Sequence, residues 1–289
     1  MKVLVTGAHG QLGRSLQANV PAGTTIVGVD LEDFDIADEH QVRDRLQLEQ
    51  PDVVVNTAAW TAVDLAESNE AGAVRANVDG PRILAEVSKE LGARLIHVST
   101  DFVFDGQFDS PYSPTAIANP QSVYGRTKYD GEQAVLTAMP NSAVILRTAW
   151  LYSEYGSNFV STMLRLMSER DEISVVDDQI GTPTWARSVA GAIFSFLNNP
   201  EVSGVYHWTD SGQASWYDFA TAIKEEASDL GILDNAAEIL PIPSKDYKVA
   251  ATRPAYSVLD CSETEDVLHI SARPWRESLR MMLEAGDKS

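Results

Sequence analysis

Tyr124 and Lys128 stand four residues apart, a spacing that puts two side chains on one face of a helix. A tyrosine hydroxyl ordinarily keeps its proton up to about pH 10. An ammonium beside it favours the phenolate, so the spacing predicts a lowered Tyr124 pKa. Such a phenol can exchange a proton with a substrate oxygen near neutral pH. Ser99 and Thr100 close the apolar run Leu95–Val98. A hydroxyl at the carboxyl end of a strand can hydrogen-bond the same oxygen. A third group lies at the front, where Val3–Val5 runs through Thr6 into Gly7, Gly10 and Gly13 and then an amphipathic segment. That reads as strand, glycine turn and helix N-terminus, where a pyrophosphate can sit on free N–H groups and the positive end of the helix dipole. The spacing is G-x-x-G-x-x-G rather than G-x-G-x-x-G. Singly, these features also suit a plain surface helix or a tight βα turn. Their order along one chain is specific.

The elements that must position these groups follow an alternating pattern. Strands are expected near 2–6, 24–29, 52–56, 93–99 and 142–147, and helices near 11–19, 38–49, 70–91 and 121–138. This is the rhythm of an α/β doubly wound parallel sheet of Rossmann type. Residues 1–150 read as a dinucleotide-binding domain, with about 184–210 returning to it. Residues 151–289 read mainly as a smaller substrate-binding lobe. In that lobe a helix is expected over 158–170, with Phe159, Met163, Leu166 and Met167 as a core stripe. Another helix spans 184–198, a short strand 204–208, and Ser215 caps a helix opening at Trp216. The Gly-, Ser- and Pro-rich stretch 105–120 is a loop, either covering the substrate or merely connecting.

Composition narrows the setting. The 289 residues, 44% of them hydrophobic, can build a real core. No apolar run approaches the roughly 20 residues of a membrane span. The first strand begins at Lys2, which leaves no room for a signal peptide. Cys261 is the only cysteine, which argues against a disulfide framework or a cysteine metal cluster and for a cytoplasmic setting. A net charge of −20 disfavours nucleic acid and anionic membranes as partners. An anionic ligand therefore needs local cations, for which Arg187 and Arg253 are the candidates ahead of Arg165, although each also fits a surface ion pair. Asp30 ends the second strand. It can accept from an adenosine ribose 2′-OH, which favours NADH, or it can cap a turn.

Further motifs carry a resemblance. Asn56-Thr57-Ala58-Ala59-Trp60-Thr61, Ser99–Gly106, Val123–Lys128, Leu146–Tyr152, Asp178–Thr184, Gly204–His207 and Thr252-Arg253-Pro254 together resemble the extended short-chain dehydrogenase/reductase family, in its dTDP-4-dehydrorhamnose reductase branch. The resemblance runs nearly end to end. It implies NADPH or NADH as cofactor and a dTDP-linked 4-keto-6-deoxy sugar as substrate, reduced at C4 to dTDP-L-rhamnose. It makes Tyr124 the proton donor, Lys128 the holder of the nicotinamide ribose and Thr100 a polariser of the carbonyl. Trp150 falls at the sugar, or is a core aromatic at a strand end; Asp101 falls there too, or caps a turn. Cofactor contacts are implied at His9, Gln11, Leu12, Asp35, Ile36, Ala58, Ala59, Trp60, Thr61 and Val98.

The chain departs from the family pattern at two positions. Phe102 stands where a tyrosine is usual. Ser15 stands where some relatives carry a glutamate linked to a magnesium-bound dimer, so no metal is expected, and a monomer or homodimer is. Two rivals remain. A non-catalytic regulatory branch of the superfamily loses Tyr-x-x-x-Lys, which is kept here. An epimerase or dehydratase keeps its cofactor bound, and a dehydratase needs an Asp-Glu pair where this chain has Asp101-Phe102.

Overall fold

The computed structural model describes residues 1–234 and 236–286. Its centre is a six-stranded sheet with every pair parallel. Five strands come from the first half of the chain: β1 (Lys2–Thr6), β2 (Thr25–Val29), β3 (Val53–Asn56), β4 (Arg94–Thr100) and β5 (Ala143–Thr148). Strand Gly204–His207 adds to the edge of β5, so the spatial order from that edge is β5, β4, β3, β1, β2. β3 and β5 are buried throughout, as expected of apolar strands covered on both faces. One covering layer packs Leu12 and Leu16 with Val189, Ile193 and Phe196; the other packs Val42, Leu46, Leu84 and Val135. The chain leaves β1 toward β2 on one side and toward β3 on the other. The crevice beyond the carboxyl ends of β1 and β3 is therefore the switch point at which such sheets take ligands.

Helix starts are written in the sequence. Asp38, Ser122, Asn158 and Ser215 each accept a backbone N–H from three residues on, opening helices Glu39–Glu49, Val123–Ala138, Phe159–Glu169 and Trp216–Asp229. The expected single helix over 70–91 differs. Glu70–Val74 and Gly80–Leu91 are joined by a π-helical turn, Arg75–Asp79, which swings Asn77 inward. Asn77 Oδ1 accepts from Trp60 N at 2.8 Å, and Asn77 Nδ2 donates to Thr127 Oγ1 at 3.1 Å. The turn thus ties the loop after β3 to the helix that carries Tyr124.

The smaller lobe packs Phe159–Glu169, Trp216–Asp229 and Trp275–Gly286 around Phe219, Ile223 and Leu279, beside a two-stranded parallel ribbon of Glu172–Val176 and Glu238–Ile242. Among the described residues no helix is long and apolar enough to cross a membrane.

Candidate active site

A cleft of about 1150 Å³ opens over the switch point and runs into the smaller lobe. Its floor at one end is the glycine turn. Gly7 has φ +68°, and a Cβ there would stand 2.7 Å from Ala58 N. Helix α1 (Gln11–Ala18) starts at Gly10 with no side-chain cap and no acidic residue in its first turn. Its first N–H groups and dipole are left for an anion. His9, Gly10, Gln11 and Leu12 line the cleft with Gly7, but Gly13 does not. A Cβ on Gly13 would lie 2.3 Å from Gly7 O, so Gly13 lets the helix pack beneath the turn instead of meeting a ligand.

The side-chain oxygen of Gln11 is already committed. Its Oε1 accepts from Ser153 Oγ at 2.9 Å and from Asn158 Nδ2 at 3.0 Å, across the cleft. Its backbone N–H and its Nε2 amide remain as donors for a phosphate.

Asp30, Asp35 and Ile36 line the cleft beyond β2. Asp30 Oδ2 accepts from His9 N at 2.8 Å and Oδ1 from Leu31 N at 2.8 Å. Asp35 pairs with Arg75 at 2.5 Å. Arg75 is a cleft-lining cation that sequence reasoning missed, because only the π-helical turn aims it there. Ala58, Ala59, Trp60, Thr61 and Val98 line the wall between.

Thr100, Asp101 and Tyr124 meet deeper in the cleft. Thr100 Oγ1 donates to Asp101 Oδ1 at 3.0 Å and lies in hydrogen-bonding range of Tyr124. Burial lifts the Asp101 carboxyl to about 6, against the opposing pull of the Ser257 and Thr100 hydroxyls. Phe102 packs edge-on against Tyr124, with ring centroids 5.5 Å apart.

Burial pushes the Tyr124 phenol up to about 12, eased by Thr100 and reinforced by the Asp101 charge. The lowered pKa expected from the Tyr-x-x-x-Lys spacing is thereby corrected. Lys128 shares the helix face, but its Nζ turns away and donates to Val98 O at 2.7 Å. Burial brings Lys128 itself down to about 8. Tyr124 is held as a firmly protonated phenol, a state suited to giving a proton rather than taking one.

Trp150 lines the cleft and also packs against two clusters of the core. Its backbone is left-handed, φ 45°, and its ring stacks on Trp216 at 3.5 Å. Trp216 also lines the cleft; the sequence marked it only as a helix start.

Of the three arginines, Arg253 alone lines the cleft, paired with Asp64 at 2.8 Å. Arg187 is a correction. The helix Ala186–Leu197 buries Ala186, Val189, Ala190 and Ile193, so Arg187 faces outward and lies over the Trp185 ring. Arg165 pairs with Glu169 on an exposed helix face.

The 105–120 loop contributes nothing to the cleft lining. It is pinned to the sheet instead. Tyr112 stacks on Phe104 at 4.2 Å, and the Tyr112 carbonyl meets His207 Nδ1 at 3.0 Å.

Known proteins resemble this chain end to end. Residues 1–287 match the family described as the RmlD substrate binding domain. A dTDP-4-dehydrorhamnose reductase of Aggregatibacter actinomycetemcomitans is 40% identical over 286 residues, covering 96% of this chain and 97% of the relative. A dTDP-4-keto-6-deoxy-D-glucose reductase of Streptomyces niveus is 40% identical over 278 residues, covering 96% and 94%. The crystal structure of the Bacillus anthracis dTDP-4-dehydrorhamnose reductase in complex with NADP superposes with a TM-score of 0.93 at 35% identity, covering 98% of this chain and 99% of that one. By end-to-end likeness in sequence and in fold, the chain belongs to the RmlD family of dTDP-4-dehydrorhamnose reductases.

Proposed function

We propose that the protein reduces the C4 ketone of dTDP-4-dehydro-L-rhamnose to dTDP-L-rhamnose, using NADPH or NADH, with Tyr124 as proton donor. The observation that carries this reading is the convergence of the Tyr124 and Thr100 hydroxyls and the uncapped α1 terminus on one cleft. The relatives' names supply the substrate class.

The residues present fit a dinucleotide. The Gly7 turn sits too close to the Ala58 backbone for a side chain, and the bare N–H groups of α1 suit its pyrophosphate. Asp30 and Asp35 stand where the adenosine end would lie. When bound, the dinucleotide supplies the hydride. The chain supplies placement and a proton. Tyr124 Oη lies beside Thr100 Oγ1, where a ketone oxygen can accept from the phenol, and from Thr100 once its hydroxyl turns from Asp101. The Tyr124 proton passes to that oxygen as negative charge develops on it. Trp150, with Trp216 behind it, offers an aromatic face to the sugar, and Arg253 a cation to its diphosphate.

Residues 1–150 with 184–210 form the dinucleotide half in this reading, and most of 151–289 the sugar-nucleotide lobe. The setting is the cytoplasm, with the protein a monomer or homodimer.

The test is turnover of dTDP-4-dehydro-L-rhamnose with NADPH and NADH in parallel. Stoichiometric oxidation of either dinucleotide is expected. No oxidation would favour a regulatory subunit, and turnover without added reductant would favour an epimerase or dehydratase.

A further inference from the structure

A second polar chain runs behind the cleft and ends at Lys128. Thr6, Asn56, His97 and Lys128 are all buried. Asn56 Oδ1 accepts from Thr6 Oγ1 at 2.7 Å and from the backbone N–H of Ala58 at 3.1 Å. The backbone N–H can only donate, so the amide orientation of Asn56 is fixed and its Nδ2 faces His97 Nδ1 at 2.9 Å. Nδ2 is itself only a donor, so His97 Nδ1 must accept. A neutral imidazole that accepts at Nδ1 carries its proton on Nε2. That N–H faces Lys128 Nζ at 3.4 Å, while Lys128 donates to Val98 O at 2.7 Å. An ammonium would place N–H against N–H at this contact. An amine presents a lone pair to the ring and keeps a hydrogen for Val98.

We propose that His97 is a positioning residue for Lys128: Asn56 locks the ring with its proton on Nε2, and that N–H disfavours the lysine's ammonium form until a bound dinucleotide's ribose hydroxyls compete for the nitrogen. Only the last clause rests on the reductase reading. Few charges face the cluster. Glu132, one turn on along the same helix, favours the ammonium, but it is committed to Arg147 of β5 at 2.6 Å. Asp101 stands beyond β4, with its Oδ1 on Thr100. The facing groups from β1 and β3, Thr6 and Asn56, are uncharged. Burial works in the same direction, pushing His97 well below its ordinary value and Lys128 to about 8.

Nitrogen NMR of the isotope-labelled protein without dinucleotide tests this, with no turnover involved. Failure here leaves the reductase assignment standing, and the reverse also holds. In the wild type the His97 resonances are expected to show the Nε2–H tautomer across the neutral range, with Lys128 titrating well below a free lysine. Asn56→Asp replaces the donor facing Nδ1 by an acceptor. It is expected to invert the tautomer and move the Lys128 titration upward by about one pH unit or more. His97→Phe removes the N–H at similar bulk and is expected to move it the same way. In His97→Phe a ring with a purely structural role would lower stability and leave the Lys128 titration in place, whereas in Asn56→Asp, where the new charge itself favours the ammonium, the tautomer is the readout. An Nδ1–H tautomer in the wild type, or one Lys128 titration shared by wild type and the folded variants, overturns the proposal. If Asn56→Asp fails to fold, the wild-type spectrum and His97→Phe still decide.

Discussion

Trp150 and Trp216 lie face to face, with ring centroids 3.5 Å apart and planes within 5° of parallel. Trp150 comes from the end of the main sheet and Trp216 from the first turn of a helix in the smaller lobe, so the stack is a joint between them. It also braces the left-handed backbone at Trp150, where φ is 45°. Such a conformation persists only where the surroundings over-determine it.

Trp216→Ala removes that brace. Aromatic pairs contribute about 0.5–1.5 kcal/mol beyond area burial. The KM for the sugar nucleotide is expected to rise roughly tenfold, with the dinucleotide dissociation constant unchanged. Steady-state kinetics and a fluorescence titration separate the two, and an equal loss on both sides would contradict the assignment of Trp150 to the sugar.

Tyr124→Phe keeps the ring and its contact with Phe102. Folding and dinucleotide affinity are expected to survive, while turnover falls by roughly 10²–10⁴, the range for loss of a general acid. Near-normal kcat in a folded variant removes Tyr124 from the mechanism.

Gly13→Ala puts a methyl group 2.3 Å from the Gly7 carbonyl oxygen, a backbone atom that cannot yield alone. The glycine turn must shift. Dinucleotide affinity is expected to drop by roughly tenfold or more, one hydrogen bond to a charged phosphate accounting for most of it. Isothermal titration measures it directly.

Arg147→Met strands Glu132, which is fully buried and accepts from Arg147 Nε at 2.9 Å and Nη2 at 2.6 Å. Removing one partner of such a pair costs about 3–5 kcal/mol. Urea denaturation is expected to show a loss of that size, and Glu132→Gln in the same background to recover part of it.

The His207 side chain is held neutral, with its pKa brought down to about 3 by burial and by the nearby Arg147 guanidinium. The folded value is below the unfolded one, so the unfolded chain binds more protons between those two values. Stability is complete above about pH 6.5 and is lost as the pH falls toward 3, by about 1.4 kcal/mol per pH unit from this residue. Asp101, raised to about 6, acts in the opposite sense between about pH 4 and 6. His207→Gln isolates the first term. Its stability deficit relative to wild type is expected to shrink by about 2 kcal/mol between pH 7 and pH 5. A constant deficit would place the acid sensitivity elsewhere.

The glycine turn, the parallel strands and the helix bearing Tyr124 were legible because each is coded locally, by an apolar run, a cap or a fixed spacing. The π-helical turn at Arg75–Asp79 was not, because the surrounding pattern stays helical and only Asn77's distant partners, Trp60 and Thr127, reveal the insertion. The fate of Lys128 was hidden for the same reason. Spacing places it beside Tyr124, but its partners lie on β4, and alternation along a strand does not say which inward residue meets which neighbour. Arg187 could have been placed better from the sequence. The helical period of Ala186, Val189, Ala190 and Ile193 buries the opposite face and turns Arg187 to solvent.

Two ties cross the cleft, and they differ in kind. Gln11 holds Ser153 and Asn158 through uncharged hydrogen bonds, whereas Asp64 holds Arg253 by a partly exposed ion pair and the Ala250 and Ala251 amides besides. Dissolved electrolyte screens the second and leaves the first alone. Ionic strength therefore loosens the 250–253 segment while the glycine turn stays moored, so its effect falls first on the Arg253 side of the cleft.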